Sequence, residues 1–202
     1  VKETTAFGRR RRGMETLDVQ WLASGVLPLP CGAQAVHSFS GRHNGEFISV
    51  TDPLTRSIWR RENRRGLSSH DCFPGATVSA DGTFYGAQLA WSGNHVQMIE
   101  WLDDGRYQWQ MGEGFAPGEV RLAPGDTLAT PEVLATCAAD ANGVAQNFHA
   151  AIRARMDWPG GAMRPRPVHL NTWEGFYFDH DEAALKDLAD AAARVGIERF
   201  VL

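Results

Sequence analysis

Three stretches of the sequence carry residue types that do chemistry. Thr172-Trp173-Glu174-Gly175-Phe176-Tyr177-Phe178 gathers an indole, a carboxylate and a phenol. Trp173 can stack its ring on the apolar face of a sugar, where C–H groups meet the π cloud, and its N–H can donate to a hydroxyl. A buried core Trp is the alternative. Glu174 offers a catalytic carboxylate, but a Glu so placed more often orients a neighbour or pairs with Arg. In Arg64-Arg65-Gly66-Leu67-Ser68-Ser69-His70 a hydroxyl and an imidazole are adjacent. A nucleophile and its base must converge within hydrogen-bond reach, which neighbours in sequence do not readily do. An Arg bonding carboxylates or carbonyls in a loop is the simpler reading. Trp91-Ser92-Gly93-Asn94-His95 sits at an expected strand end, where Gly93 and Asn94 permit a tight turn with positive φ. A bulge or hairpin is expected there.

Metal and thiol chemistry find little support. His169, His180 and Asp181 lack a diagnostic ligand spacing, and metal sites need three or four convergent ligands. Cys31, Cys72 and Cys137 are far apart and form no C-x-x-C pair. No metal or cofactor is expected. Unpaired thiols favour a reducing compartment, and the expected location is the cytoplasm.

Charge and composition narrow the classes further. The 202 residues carry a net charge of −4, which argues against a general nucleic-acid binder. The charge is uneven: residues 1–66 hold ten Arg and one Lys against six acids. Arg9 to Arg12 form one basic cluster, and Arg60, Arg61, Arg64 and Arg65 another; a solvated or interface face is the plainer reading of both. No apolar run approaches the ~18 residues of a membrane span, and no secretory leader pattern is visible. Seven Trp and ten Phe argue for a packed core.

The elements that must position these residues follow from periodicity. Short apolar runs at 17–22, 34–40, 46–50, 83–91, 95–102, 106–111 and 119–122 alternate with Gly, Pro, Asn and Asp. Asp103-Asp104-Gly105 between two of them is a hairpin signal. Many short strands without helical period predict an antiparallel β-sandwich. Val144, Phe148 and Ile152 then recur at helical spacing, after Asn142-Gly143. Arg164-Pro165-Arg166-Pro167 predicts an extended connection. Val168 to Asn171 reads as a strand. Residues 182–195 read as a helix with Leu185, Leu188, Ala192 and Val195 on one face. Asp179 or Asp181 can cap its start and Gly196 suits its end. Ile197 to Leu202 reads as a second strand, completing a βαβ unit and predicting a parallel pair. The expected organisation is a β-sandwich over residues 1–138, N-terminally incomplete. A linker helix and Pro/Gly linker over 139–166 and the start of a (β/α)8 barrel over 167–202 follow. Two strands and one helix cannot cover both faces of a parallel sheet. The sequence also ends inside the apolar run Phe200-Val201-Leu202, so a longer parent protein is expected.

The segment from Val168 to Asp179, with Trp173-Glu174 and Tyr177-Phe178-Asp179 at its centre, resembles the first barrel strand and loop of glycoside hydrolase family 36, the bacterial-type α-galactosidases. Glu182 to Val195 and Gly196 to Leu202 continue the likeness. Upstream, Arg65-Gly66-Leu67-Ser68-Ser69-His70 is similar to the family's Arg-Gly-x-Ser-Ser-His segment. Tyr85-Gly86 with Ser92-Gly93-Asn94, Leu122-Ala123-Pro124-Gly125-Asp126 and Thr130-Pro131-Glu132 follow in the family's order. Asp71-Cys72-Phe73-Pro74 departs from the family's Asn-Pro-Phe, and Gly175 stands where Ala is usual.

The resemblance implies a sandwich followed by a catalytic barrel and a retaining mechanism. Two Asp carboxylates, ~5–5.5 Å apart, would lie on later strands outside these residues. It implies that Trp173 lines the galactose pocket, that the partner is an α-galactoside oligosaccharide of melibiose or raffinose type, and that the protein is a homo-oligomer. Neither nucleic acid nor membrane is an expected partner. The alternatives are a galactosyltransferase or α-N-acetylgalactosaminidase of the same family. A non-catalytic carbohydrate-binding sandwich, with Trp91 or Trp109 on a sugar-binding face, is a further one.

Overall fold

The structure, a computed structural model, describes residues 16–202. The Arg9–Arg12 cluster lies outside them. Two compact units divide at Ala154/Arg155. In the first, the strands run β1 (Leu17–Val19), β2 (Trp21–Leu29), β3 (Ala33–Arg42), β4 (Gly45–Pro53), β5 (Trp59–Asn63), β6 (Asp71–Ala80), β7 (Thr83–Leu89), β8 (His95–Trp101), β9 (Tyr107–Gly114), β10 (Val120–Leu122) and β11 (Val133–Ala138). Helix α1 (Ala141–Arg155) follows.

Two antiparallel sheets form the sandwich, a five-stranded β11-β7-β6-β3-β4 and a four-stranded β2-β9-β8-β5. Alternation decides which side chains meet between them. Leu29, Trp59, Ile99, Tyr107, Trp109 and Met111 from one sheet share a core with Val36, Val78, Ala87 and Leu89 from the other. Trp109 is 1% exposed. It is a core residue and offers no sugar-binding face.

The Asp103-Asp104-Gly105 hairpin forms between β8 and β9, with Gly105 at φ +84° and Asp104 held by Arg106. A second Asp-Gly turn joins β6 to β7, with Asp81 and Gly82 both at positive φ, as a type I′ turn requires. Strand β6 lies in the middle of its sheet despite Pro74. The register between β3 and β6 shifts around Phe39, opposite Pro74, and at such a bulge the missing N–H breaks no ladder bond. Gln97 of the facing sheet reaches across to donate to the Phe73 carbonyl at 3.0 Å.

Residues 90–94 do not form a hairpin. They carry the chain from β7 in one sheet to β8 in the other, and neither Gly93 nor Asn94 adopts positive φ. Helix α1 starts at Ala141, where the Asp140 carboxylate accepts from the Gly143 N–H at 2.7 Å. Its Val144 and Phe148 pack on the outer face of the five-stranded sheet at Gly86. A Cβ on Gly86 would lie 2.3 Å from Val144 Cγ1. Ile152, expected on the same face, is exposed.

The second unit holds β12 (His169–Asn171), the single turn α2 (Trp173–Phe176), α3 (Glu182–Arg194) and β13 (Arg199–Val201). The strands pair in parallel, Leu170 opposite Phe200. Asp181 caps α3 by accepting from Ala184 at 2.8 Å, while Glu182 and Lys186 pair along its surface. At the other end Gly196 takes φ +86°. The Ile197 and Gly196 N–H groups close on the Ala192 and Ala193 carbonyls, a Schellman ending. Of the four residues expected on the apolar face only Ala192 is buried, and Val195 is the exposed C-cap. Among the described residues no helix is long and apolar enough to cross a membrane.

Candidate functional site

In the second unit the loop after β12 presents its aromatics at the carboxyl end of a parallel strand. In β/α barrels this end carries the functional loops. Thr172 is buried and its N–H donates to the Val201 carbonyl at 3.0 Å, tying the loop's root to β13. Asn171 Oδ1 accepts from the Trp173 N–H at 2.8 Å, which turns the chain into α2. Trp173 is 47% exposed, which sets aside a core role for it within this unit. Phe178 and Tyr177 meet its ring nearly edge-on, with centroids 5.0 and 5.6 Å away. Tyr177 sits at φ +47°, costly for an aromatic residue, and its hydroxyl donates to Glu174 Oε2 at 2.9 Å. Glu174 therefore orients a neighbour. Gly175 has open space where a Cβ would stand, so the family's usual Ala fits without rearrangement.

In the sandwich the Arg-Gly-Leu-Ser-Ser-His loop is wound around one side chain that the sequence did not single out. Asn63 is 0% exposed. Its Nδ2 lies 2.8 and 3.0 Å from the Leu67 and Cys72 carbonyls, and its Oδ1 accepts from the Arg65 N–H at 2.8 Å. Asn94 Oδ1 accepts from Gly66 N–H at 3.0 Å. The arginines around the loop are paired: Arg60 and Arg64 with Glu62, Arg61 with Asp52, and Arg65 with Asp71 at 3.2 Å. Burial pushes the Glu62 carboxyl up, but hydrogen bonds from Arg64 and Arg60 outweigh it and leave the group below the ordinary range. Ser69 Oγ and His70 Nδ1 do approach, at 3.2 Å, against the expectation that neighbours would not converge.

Beneath the loop Cys72 Sγ lies 3.4 Å from His95 Nε2, and His95 Nδ1 lies 3.1 Å from the Gly93 carbonyl. A carbonyl only accepts, so Nδ1 carries the proton and Nε2 accepts from the thiol. Burial pushes the Cys72 thiol up to about 12 and lowers the His95 imidazole. A thiol so disfavoured as thiolate is not a nucleophile. The three cysteines are free thiols. Asp181 is engaged as a helix cap, and among the described residues no three His, Cys, Asp or Glu side chains gather as a metal site would require.

The N-terminal domain model of glycosyl hydrolase family 36 matches residues 8–123, more than half of the chain, and the melibiase model matches residues 127–202. The chain belongs to glycosyl hydrolase family 36. Among its family 36 relatives, an α-galactosidase of Escherichia coli is 38% identical over 185 residues, 88% of this chain and 26% of that protein. The α-galactosidase AgaA of Geobacillus stearothermophilus is 34% identical over 74% of this chain and 22% of its own length. The fold agrees with family 36 structures. The galactosidase domain of an α-galactosidase–sucrose kinase, AgaSK, matches with a TM-score of 0.80 at 28% identity, over 93% of this chain and 27% of its own. A variant of Geobacillus stearothermophilus AgaA in complex with raffinose matches with a TM-score of 0.77 at 30% identity, over 88% of this chain and 26% of its own. The chain thus spans about a quarter of the length of the curated relatives it matches. A β-sandwich followed by the opening strand, helix and strand of a barrel is the family 36 arrangement in this chain.

Proposed function

We propose that the protein carrying this chain is a retaining α-galactosidase acting on terminal α-galactosides of melibiose or raffinose type. The observation that carries the reading is the exposed Trp173 at the carboxyl end of β12, braced by Tyr177 and Phe178. Trp173 stacks on the galactose ring, and Glu174 holds the loop through Tyr177. The nucleophile and the acid/base are two Asp carboxylates on later barrel strands, outside residues 1–202. One attacks the anomeric carbon; the other protonates the leaving oxygen and then deprotonates water. The raffinose complex of AgaA supports an oligosaccharide partner. The free thiols support a cytoplasmic location. Residues 1–138 serve as the sandwich domain, 139–166 as the connection and 167–202 as the opening of the barrel. The assembly is a homo-oligomer.

The test is turnover of an aryl α-galactoside and of raffinose by the full-length protein, with NMR of the first-formed anomer. The reading expects galactose released with its α configuration kept. W173A is expected to lower kcat/KM by roughly 2–10-fold, the worth of one aromatic contact. Absence of turnover, or a β product, overturns it.

A further inference from the structure

At one end of the four-stranded sheet a cavity of about 520 Å3 opens between β2, β5, the start of β8 and the chain after β9. Small-molecule sites occupy roughly 300–1,000 Å3, so the space suits a ligand of one or two sugar rings. Its walls combine two kinds of surface. Trp21 and Phe115 are half-buried aromatics. Arg60, Glu62, Arg64 and Asn94 are polar, and hydrogen bonds among them and to the backbone orient them. Glu62 accepts from both arginines, and Asn94 spends its Oδ1 on Gly66, which keeps its NH2 donors for another partner. The Trp21 Nε1 itself is sealed from solvent, so this residue offers the cavity its ring.

We propose that this cavity is a saccharide-binding subsite of the sandwich, built from residues other than those of the Trp173 loop. The mixture of donors and acceptors selects the ligand class. An anion would need donors alone, and the Glu62 carboxylate in the wall repels it while neutralising part of the charge of Arg60 and Arg64. A pyranose offers hydroxyls that both donate and accept, and an apolar face for the aromatics. Vicinal hydroxyls suit the planar guanidinium and carboxylate groups, which bond in pairs.

Isothermal titration of the 202-residue chain with raffinose and with inorganic phosphate tests this, using wild type, W21A and R64A. Thermal unfolding of each checks the fold. Wild type is expected to bind raffinose saturably, and phosphate is expected not to compete. W21A and R64A are expected to bind about 3–10-fold more weakly, the size of one aromatic contact or one lost hydrogen bond. Arg64 is well exposed, so R64A keeps the test alive should W21A fail to fold. No saturable raffinose binding by wild type overturns the proposal. So does binding unchanged in R64A, or displacement of raffinose by phosphate. Turnover by the full-length protein reads the galactosidase separately, so failure here leaves that reading untouched.

Discussion

The two units spend their aromatic residues in opposite ways. In the sandwich, Trp59, Tyr107 and Trp109 are buried in a core shared by both sheets. In the second unit Trp173, Tyr177 and Phe178 brace one another and stay exposed, and the described residues buried there are Thr172 and Ala192. The first unit has enough apolar burial to define itself. Three-residue strands with both faces open do not, since parallel strands are stable when helices cover them. The lesson is that aromatic content says little until burial is known: the same residue types build a core in one unit and an exposed cluster in the other.

The contrast can be broken most severely at Trp109. W109A should cost about 3–5 kcal/mol, as large-to-small core changes do, read as a lowered urea midpoint. W173A should leave that midpoint within about 0.5 kcal/mol, because an exposed ring contributes little to folding. Equal losses from the two variants would erase the distinction. Next in size is N63A. It strands the Leu67 and Cys72 carbonyls and the Arg65 N–H, and should cost about 2–3 kcal/mol. Hydrogen exchange should speed up in residues 64–70 while the Trp109 core stays protected.

The buried His95 makes the first unit sensitive to acid. Its folded pKa lies below the unfolded value of about 6.5, so the unfolded chain binds the proton first. The stabilising contribution of neutral His95 is present above that value and is lost as pH falls through the folded pKa. Unfolding midpoints measured between pH 7 and pH 5 should therefore fall more steeply for wild type than for H95Q. Parallel curves would remove His95 as the cause. The smallest effect belongs to the second unit: D181A should cost about 1 kcal/mol of α3 stability, seen as lost helical circular dichroism without a shift in the sandwich transition.

How much of this was legible varied with the local signal. The hairpin at Asp103-Asp104-Gly105 and both ends of α3 follow from turn and cap residues whose physics is local. Strands β5, β6 and β11 were missed. Four of the five residues of β5 are polar or charged, and it holds its place through Trp59 and Asn63 at its ends. Pro74-Gly75 masked β6, since a proline is tolerated mid-sheet only where a bulge removes the need for its N–H, and that bulge is set by β3. Asp81-Gly82 was the signal that could have found β6. The crossover at 90–94 depends on which sheet β8 joins, a tertiary fact. The place of Trp173, directly after a parallel strand, was legible because motif and strand end coincide. Asn63 was not: an Asn in a charged run gives no hint that three backbone segments close on it.

The missing side chain at Gly86 decides whether α1 can dock. On the outer face of the sheet Gly86 lies between Thr77 and Thr136 of the paired strands, and Val144 and Phe148 fill the space above it. A Cβ at position 86 would stand 2.3 Å from Val144 Cγ1, so a side chain there would leave the strands paired and the helix without its seat.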